Sequence, residues 1–228
     1  MTTVAENVAR VRERVQKALR TAARGSDEVT VVGITKTFGP EVVRTVIEAG
    51  IADIGENRVQ ELLEKQDALG TGACRWHLVG PLQRNKAGKV VGNVVLLHAI
   101  DGVRIAQTVD RLARERSLRA RVLLEVNTSG EASKHGVAPA QAPATADALA
   151  RLEGLDLLGL MTMGPASRGA DETRACFRSL ARLAAQLRGI TGLPLPVLSM
   201  GMSDDFEVAI EEGATMIRVG RGITGERV

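Results

Sequence analysis

The chain has 228 residues, a quarter of them charged, and a net charge of only +3, which predicts a soluble globular protein of one-domain size. No run approaches the roughly 20 apolar residues of a membrane-spanning helix. Three Phe, one Trp and no Tyr are too few for a surface that stacks nucleic-acid bases. The two cysteines, Cys74 and Cys176, have no metal-ligand or disulfide-framework spacing, and the first residues lack a signal-peptide pattern. We therefore expect a cytoplasmic protein that binds neither nucleic acid nor membranes.

The chain begins with a helical pattern and continues with alternating strands and helices. Apolar residues at helical spacing predict a helix over 3–23. Mostly continuous apolar runs, typical of strands covered on both faces, then predict eight strands at 29–36, 51–55, 75–80, 94–99, 120–127, 155–163, 195–200 and 215–219. Helices are predicted between them at 41–49, 57–69, 84–91, 103–116, 139–153, 171–189 and 204–213. Five glycines fall where these helices should end, namely Gly50, Gly70, Gly154, Gly192 and Gly213.

Eight strands alternating with helices indicate a parallel α/β fold. Their number favours a (β/α)8 TIM barrel with an extra N-terminal helix, and a doubly wound sheet is the alternative. The chain shows no internal repeat and no linker, so residues 1–228 are predicted to form a single domain. In such a barrel the binding and catalytic residues gather where the strands end.

Lys36 ends the first predicted strand and is the first candidate site residue. An amine that is desolvated at the rim of a barrel loses its proton more easily and can attack a carbonyl to form a Schiff base. The alternative is a strand-end lysine that only reaches solvent.

The segments after the seventh and eighth predicted strands indicate an anion site. Ser199 to Ser203 lead into a predicted helix near Asp204, and Gly220-Arg221-Gly222 follow the last strand. Glycines allow close approach of a backbone, and free N–H groups at a helix start bind anions. These two loops are a recurrent phosphate site in barrels. We therefore predict a phosphate near Ser203 and Gly220, with Ser203 also serving as the N-cap of the helix.

Arg218, on the last predicted strand, has two possible orientations. If it points into the barrel, the cost of burying its charge implies a ligand or a carboxylate partner. If it points outward, Glu211 or Glu212 is available as a partner.

Histidines and methionines complete the candidate residues. The histidines have no metal-ligand spacing, so we predict no metal site and expect hydrogen-bonded polar side chains at His77, His98 and His135. Four methionines are expected to pack the top of the barrel, namely Met161, Met163, Met200 and Met202.

Several segments together resemble one known family along nearly the whole chain. They are GITKT at 33–37, DIGENRVQE at 53–61, WHLVGPLQRNK at 76–86, GLMTM at 159–163, LSMGMSDD at 198–205 and RVG at 218–220. This pattern resembles the YggS/PROSC family of pyridoxal phosphate homeostasis proteins. The resemblance implies a single barrel of the alanine racemase N-terminal type.

The resemblance also implies a cofactor and the residues that hold it. Pyridoxal 5′-phosphate would form a Schiff base with Lys36, with Asn57 beside it, and Ser203 and Gly220 at its phosphate. Arg218 would point inward and face the pyridine nitrogen, which keeps that nitrogen unprotonated and makes the ring a weaker electron sink. Where the family usually has a small hydroxyl residue, this chain has Arg221, so Arg221 is expected either to pair with the phosphate or to point to solvent.

The implied function is to buffer, store or deliver pyridoxal phosphate, with apo-enzymes that use the cofactor as recipients, and without robust catalytic activity. The alternative is a racemase or related enzyme of low activity. In alanine racemase a tyrosine from a second domain across a dimer is the base opposite the lysine. This chain has no tyrosine, and we expect no second domain and a monomer. His77 is a possible substitute base. A third alternative is binding of another phosphorylated metabolite.

Overall fold

The computed structural model describes residues 2–25, 29–165 and 169–225. Its eight strands are all parallel and close into a barrel in sequence order, with β1 paired to both β2 and β8. They are β1 Thr30–Ile34, β2 Asp53–Glu56, β3 Arg75–Leu78, β4 Leu96–Ile100, β5 Ala120–Glu125, β6 Leu155–Met161, β7 Val197–Ser199 and β8 Met216–Val219. The predicted (β/α)8 barrel is confirmed, and the doubly wound alternative is wrong.

The helices follow the strands around the outside of the barrel. Those in the described residues are α1 Val4–Thr21, α2 Pro40–Glu48, α3 Val59–Leu69, α4 Ala87–Val90, α5 Val103–Glu115, α6 Ala142–Ala150, α7 Ala170–Thr191, α8 Phe206–Glu211 and α9 Arg221–Thr224. The helix predicted over 84–91 is split into a 3₁₀ turn, Arg84–Lys86, and the single turn of α4. The single turn of α9 was not predicted, because four residues carry too little periodicity to be recognised.

Apolar side chains form two separate clusters. The larger one lies between the strands and the helices, and it includes the stripe of α1, which packs against α8 and α9. The smaller one fills the barrel and contains Val32, Ile34, Val79, Leu96, Ala99, Leu123, Met161 and Met216. This division of the apolar residues explains why the strands read as continuous apolar runs, since both of their faces are covered.

Four of the five glycines that were predicted to mark helix ends do so. The φ angles of Gly50, Gly70, Gly192 and Gly213 are +91°, +91°, +70° and +99°, the range that glycine adopts at low cost. Gly154 differs, because α6 already ends at Ala150. The Gly154 N–H instead donates to a buried carboxylate oxygen of Asp110 at 2.7 Å.

Gly159 on β6 lies where β7 leaves no room for a side chain, and its replacement tests the packing of the barrel. A Cβ at Gly159 would lie 1.8 Å from the carbonyl oxygen of Val197 on β7. Gly159→Ala should therefore force β6 and β7 apart and lower the free energy of unfolding by about 3 kcal/mol or more, as measured by urea titration. Gly189→Ala is the control, because Gly189 is an exposed residue of α7 with no atom within 4 Å of the added methyl. The control should be stabilised by about 0.5–1 kcal/mol, and equal effects of the two changes would contradict the packing.

Candidate functional site

A cavity of about 400 Å³ opens at the carboxyl ends of the strands. The structure brings all six residues predicted for cofactor binding to its border, namely Lys36, Asn57, Ser203, Arg218, Gly220 and Arg221. Apolar residues of the barrel interior, such as Ile34, Val79 and Met161, line it as well. The cavity therefore combines an apolar wall with several cationic side chains, while the binding role of each residue stays a prediction.

Lys36 lies two residues beyond the end of β1 and is exposed. Within the described part of the chain its ammonium group makes no hydrogen bond and no ion pair. From its place at a strand end we expected the Lys36 amine to be buried, and the structure shows it exposed. What the structure provides is an amine that is free to react at the edge of a cavity.

Helix α3 holds the backbone on both sides of Lys36. The Lys65 ammonium donates to the carbonyl oxygen of Thr35 at 2.7 Å, and the Glu61 carboxylate accepts the backbone N–H of Thr37 at 2.8 Å. Thr37 has a φ of +70°, a left-handed conformation that costs a non-glycine residue about 1–3 kcal/mol. The position of the amine is therefore set by two side chains of one helix rather than by the strand alone.

Lys65 is itself held by a buried carboxylate. Its ammonium lies 2.5 Å from Glu56 Oε1, which also accepts the Thr35 hydroxyl at 2.5 Å. Burial raises the pKa of Glu56 above its ordinary value, although the hydrogen bonds from Lys65 and Thr35 oppose this rise. Removing one partner of such a buried pair costs about 3–5 kcal/mol, so the contact makes the loop after β1 rigid.

Asn57 follows β2 and is half-buried at the border of the cavity. The loop after β3 packs directly onto its backbone, because a Cβ at Gly80 would lie 2.2 Å from the Asn57 carbonyl oxygen. Only glycine permits this approach, which fixes Asn57 relative to the neighbouring loop.

Arg218 points into the barrel, and its side chain reaches the bottom of the cavity. Its Nη1 donates to Ser199 Oγ at 2.7 Å, and its Nη2 donates to the Thr162 carbonyl oxygen at 2.9 Å. The outward alternative is wrong, because Glu211 and Glu212 pair with arginines of α7 instead.

The charge of Arg218 lies in a site that is closed to bulk water, with 4% of the residue exposed. Burial lowers the pKa of Arg218 to about 10, although the charges of Asp205 and Glu125 partly oppose this change. The guanidinium is therefore still a cation at neutral pH, and it presents a positive charge to the cavity.

Ser203 connects the loops after β7 and β8, but it does not cap a helix. Its Oγ accepts the backbone N–H of Gly222 at 3.1 Å. Helix α8 begins at Phe206 with Asp205 in the N-cap position, so the predicted N-cap role of Ser203 is wrong. The two loops are nevertheless joined to each other, as a shared phosphate site requires.

Gly220 and Arg221 form the rest of this corner of the cavity. A Cβ at Gly220 would lie 3.6 Å from Ile34, an ordinary contact, so glycine leaves room beside Ile34 that a ligand group can occupy. Arg221 is exposed and its Nη2 lies 2.5 Å from Asp204 Oδ2. Exposed pairs of this kind contribute about 0–1 kcal/mol, so Arg221 is able to leave Asp204 for an anion in the cavity.

Three further residues border the cavity that we did not assign to the site from the sequence, namely Glu125, His135 and Asp204. Glu125 is the most informative of the three because it is 4% exposed and its Oε2 has no hydrogen-bond partner among the described residues. Burial raises the pKa of Glu125 to about 7, with a further contribution from Asp101 and opposing ones from His135 and Arg218. The predicted fifth strand ran to residue 127, and the actual strand end at Glu125 was the signal that could have revealed it.

The remaining predicted residues lie partly outside the cavity. His77 and His98 do not border it and are hydrogen-bonded to each other inside the barrel, as expected for polar side chains that are not ligands. Three of the four methionines border the cavity, and Met200 instead packs in the larger apolar cluster.

Within the described ranges we find no group of side chains suited to a metal ion, both cysteines are free, and no helix could cross a membrane.

Comparison with known proteins relates the chain to one family. The family model described as alanine racemase, N-terminal domain, matches residues 4–228. The pyridoxal phosphate homeostasis protein of Aquifex aeolicus (strain VF5) is 42% identical over 222 residues, which covers 97% of this chain and 97% of that protein.

Solved structures agree with this relationship. PipY of Synechococcus elongatus PCC7942, solved with PLP bound, is 33% identical and has a TM-score of 0.86, covering 98% of this chain and 100% of PipY. The alanine racemase of Clostridium difficile 630 has a TM-score of 0.75 at 16% identity, over 94% of this chain and 57% of the racemase. The second likeness concerns the fold alone and confirms the predicted alanine racemase N-terminal type of barrel.

The raised pKa of Glu125 predicts a specific pH dependence of stability. The pKa of this carboxyl is 4.5 in the unfolded chain and about 7 in the folded chain. Between these two pH values the folded chain keeps a proton on Glu125 that the unfolded chain releases, so the free energy of unfolding falls as the pH rises. Glu125→Gln stays neutral, and its free energy of unfolding should therefore rise relative to the parent chain by up to about 3 kcal/mol between pH 5 and pH 8. Urea titrations at both pH values measure the difference. The exposed Glu153→Gln serves as control, and a difference that is the same at both pH values would contradict the burial effect.

Proposed function

We propose, from the premise that this chain belongs to the family of pyridoxal phosphate homeostasis proteins, that it binds pyridoxal 5′-phosphate and buffers or delivers it in the cytoplasm. When bound, this cofactor supplies an aldehyde that reacts with amines and a ring that withdraws electrons. Everything else has to come from residues of the chain. The recipients would be apo-enzymes that use the cofactor.

The cavity fits this ligand in size and in chemistry. Its volume of about 400 Å³ lies within the range of small-molecule sites. The observation that carries the proposal is that one cavity joins a free amine, Lys36, with a buried cation, Arg218, and with the room beside Gly220. The amine can react with the aldehyde of the cofactor, the cation can face its ring nitrogen, and the room beside Gly220 can hold its phosphate.

Each of the six residues predicted for cofactor binding has a proposed task. Lys36 supplies the amine for the covalent bond, and α3 keeps that amine at the cavity. Ser203 and the backbone at Gly220 bind the phosphate, and Arg221 adds charge once it leaves Asp204. Asn57 lies beside the ring. Arg218 faces the ring nitrogen, and because it stays a cation at neutral pH it opposes protonation of that nitrogen.

We propose further that the chain has no robust catalytic activity and acts as a monomer. Racemisation requires a base on each face of the substrate, and the sequence contains no tyrosine. His77, the substitute considered from the sequence, hydrogen-bonds to Asp53 and His98 inside the barrel and does not border the cavity. The second candidate function is slow racemisation. It is favoured by one observation, that Glu125 and His135 border the same cavity as Lys36.

Covalent trapping tests the proposed attachment. The purified chain is mixed with one equivalent of pyridoxal phosphate and reduced with borohydride, and we expect one adduct per chain by intact mass, located on the peptide that contains Lys36. Lys36→Ala should lose the adduct and the visible absorption of the bound cofactor. Lys17→Ala, which removes an exposed lysine of α1, should keep both. Adducts spread over surface lysines, with Lys36 unmodified, would refute the proposal.

Chiral chromatography of alanine separates the two candidate functions. With the cofactor bound, we expect interconversion of L- and D-alanine at the rate of a blank that contains free cofactor. A faster rate that is lost in Lys36→Ala and reduced in Glu125→Gln would instead support the racemase.

A further inference from the structure

A chain of polar side chains crosses the inside of the barrel beneath the cavity. Its lower end is Asp53, the first residue of β2, whose carboxylate accepts two hydrogen bonds from Arg75 at 2.8 and 2.5 Å. Burial alone would raise the pKa of Asp53, but hydrogen bonds from His77 and Arg75 outweigh it and lower the pKa to about 2. Asp53 is therefore a carboxylate at neutral pH and can only accept hydrogen bonds.

Two buried histidines continue the chain upward. His77 Nε2 lies 3.0 Å from Asp53 Oδ1, and His77 Nδ1 lies 3.0 Å from His98 Nε2. His98 Nδ1 then lies 3.0 Å from Ser199 Oγ on β7. Both imidazoles are buried, so each ring nitrogen has one protein partner and bulk water cannot replace it.

The upper end is Arg218, whose Nη1 donates to Ser199 Oγ at 2.7 Å. A guanidinium has only donors, whereas a hydroxyl accepts and also donates one proton. Arg218 at the top can therefore only donate, and Asp53 at the bottom can only accept. The hydrogen-bond directions of the groups between them must be compatible with both ends.

This requirement selects one pattern of protons. Ser199 accepts from Arg218, so its own O–H donates to His98 Nδ1. His98 then carries its proton on Nε2 and donates to His77 Nδ1, and His77 carries its proton on Nε2 and donates to Asp53. Every donor in the chain has an acceptor.

The opposite direction leaves a group unsatisfied. If His98 donated from Nδ1 to Ser199, the hydroxyl proton of this buried serine would have no acceptor among the described residues, which costs about 1–3 kcal/mol. Burial, with a smaller contribution from the charge of Arg218, also lowers the pKa of His98 well below its ordinary value, in agreement with a neutral ring.

We infer that Asp53, His77, His98 and Ser199 are positioning residues that act through Arg218. They form a hydrogen-bond relay in which every donor points from Arg218 toward Asp53, and both imidazoles are neutral and protonated at Nε2. This relay holds in place the guanidinium that faces the cavity. The part that concerns a ligand rests on the proposed function, whereas the proton pattern belongs to the chain alone.

Nitrogen NMR of the unliganded chain tests the proton pattern directly. The sequence contains only three histidines, and the third, His135, is exposed and provides the reference signal. After ¹⁵N labelling of histidine, His77 and His98 should each show the neutral Nε2–H form near pH 7. An Nδ1–H form or an imidazolium at either residue would overturn the inference.

Ser199→Ala tests the positioning role. The change removes the contact to Arg218 and should move the His98 Nδ1 signal. It should also raise the dissociation constant of pyridoxal phosphate about fivefold, the usual effect of losing one hydrogen bond. The control is Gln66→Met, which removes a side-chain hydrogen bond to Asn93 that is outside the relay and should change neither quantity.

The outcomes separate the two proposals. Unchanged affinity and unchanged histidine signals in Ser199→Ala would show that the relay does not hold Arg218. A parent chain that binds no pyridoxal phosphate, but shows both Nε2–H signals, would refute the proposed function and leave the proton pattern intact.

Discussion

A cation enclosed in a barrel must be solvated by the protein, and this requirement determines the polar residues inside this molecule. Among the described residues no carboxylate forms an ion pair with the Arg218 guanidinium, and its hydrogen bonds go to Ser199, to the Thr162 carbonyl and to the Met163 sulfur. Ser199 in turn is connected through the two histidines to Asp53. Because a partly satisfied network is costlier than an apolar core, these positions depend on one another. Five strands, namely β2, β3, β4, β7 and β8, therefore contribute side chains that hold the cation at the bottom of the cavity.

The rim of the barrel achieves rigidity in a different way. Lys36, the proposed attachment residue, lies on a loop, where the backbone has few hydrogen bonds of its own. Helix α3 compensates by placing Glu61 and Lys65 one turn apart, on either side of Lys36. The contact between Gly80 and the Asn57 backbone performs the same task at the next loop. The site therefore combines exposed groups with a backbone that is held in place.

Much of this arrangement was predictable from the sequence, for a physical reason. In a closed parallel barrel every strand ends at the same rim, so strand ends that lie far apart in sequence, such as Lys36 and Arg218, must meet. What could not be predicted depends on exact ends and partners. An error of two residues at the end of β5 concealed Glu125, and the late start of α8 made the N-cap role of Ser203 wrong. His77 and His98 were recognised singly, but their pairing depends on how two strands lie in register, which periodicity does not reveal.

The exposure of Lys36 has a consequence for how long a cofactor stays attached. A covalent bond between the cofactor and this amine would face solvent, so water could reach the carbon atom of the cofactor that is bonded to the lysine nitrogen. Hydrolysis would then set the residence time, and the bound fraction would follow the free concentration as it rises and falls. A deeply enclosed lysine would retain its ligand through such changes. For the proposed role, the open position of Lys36 would make the attachment reversible, so that cofactor could return to solution when its free concentration falls.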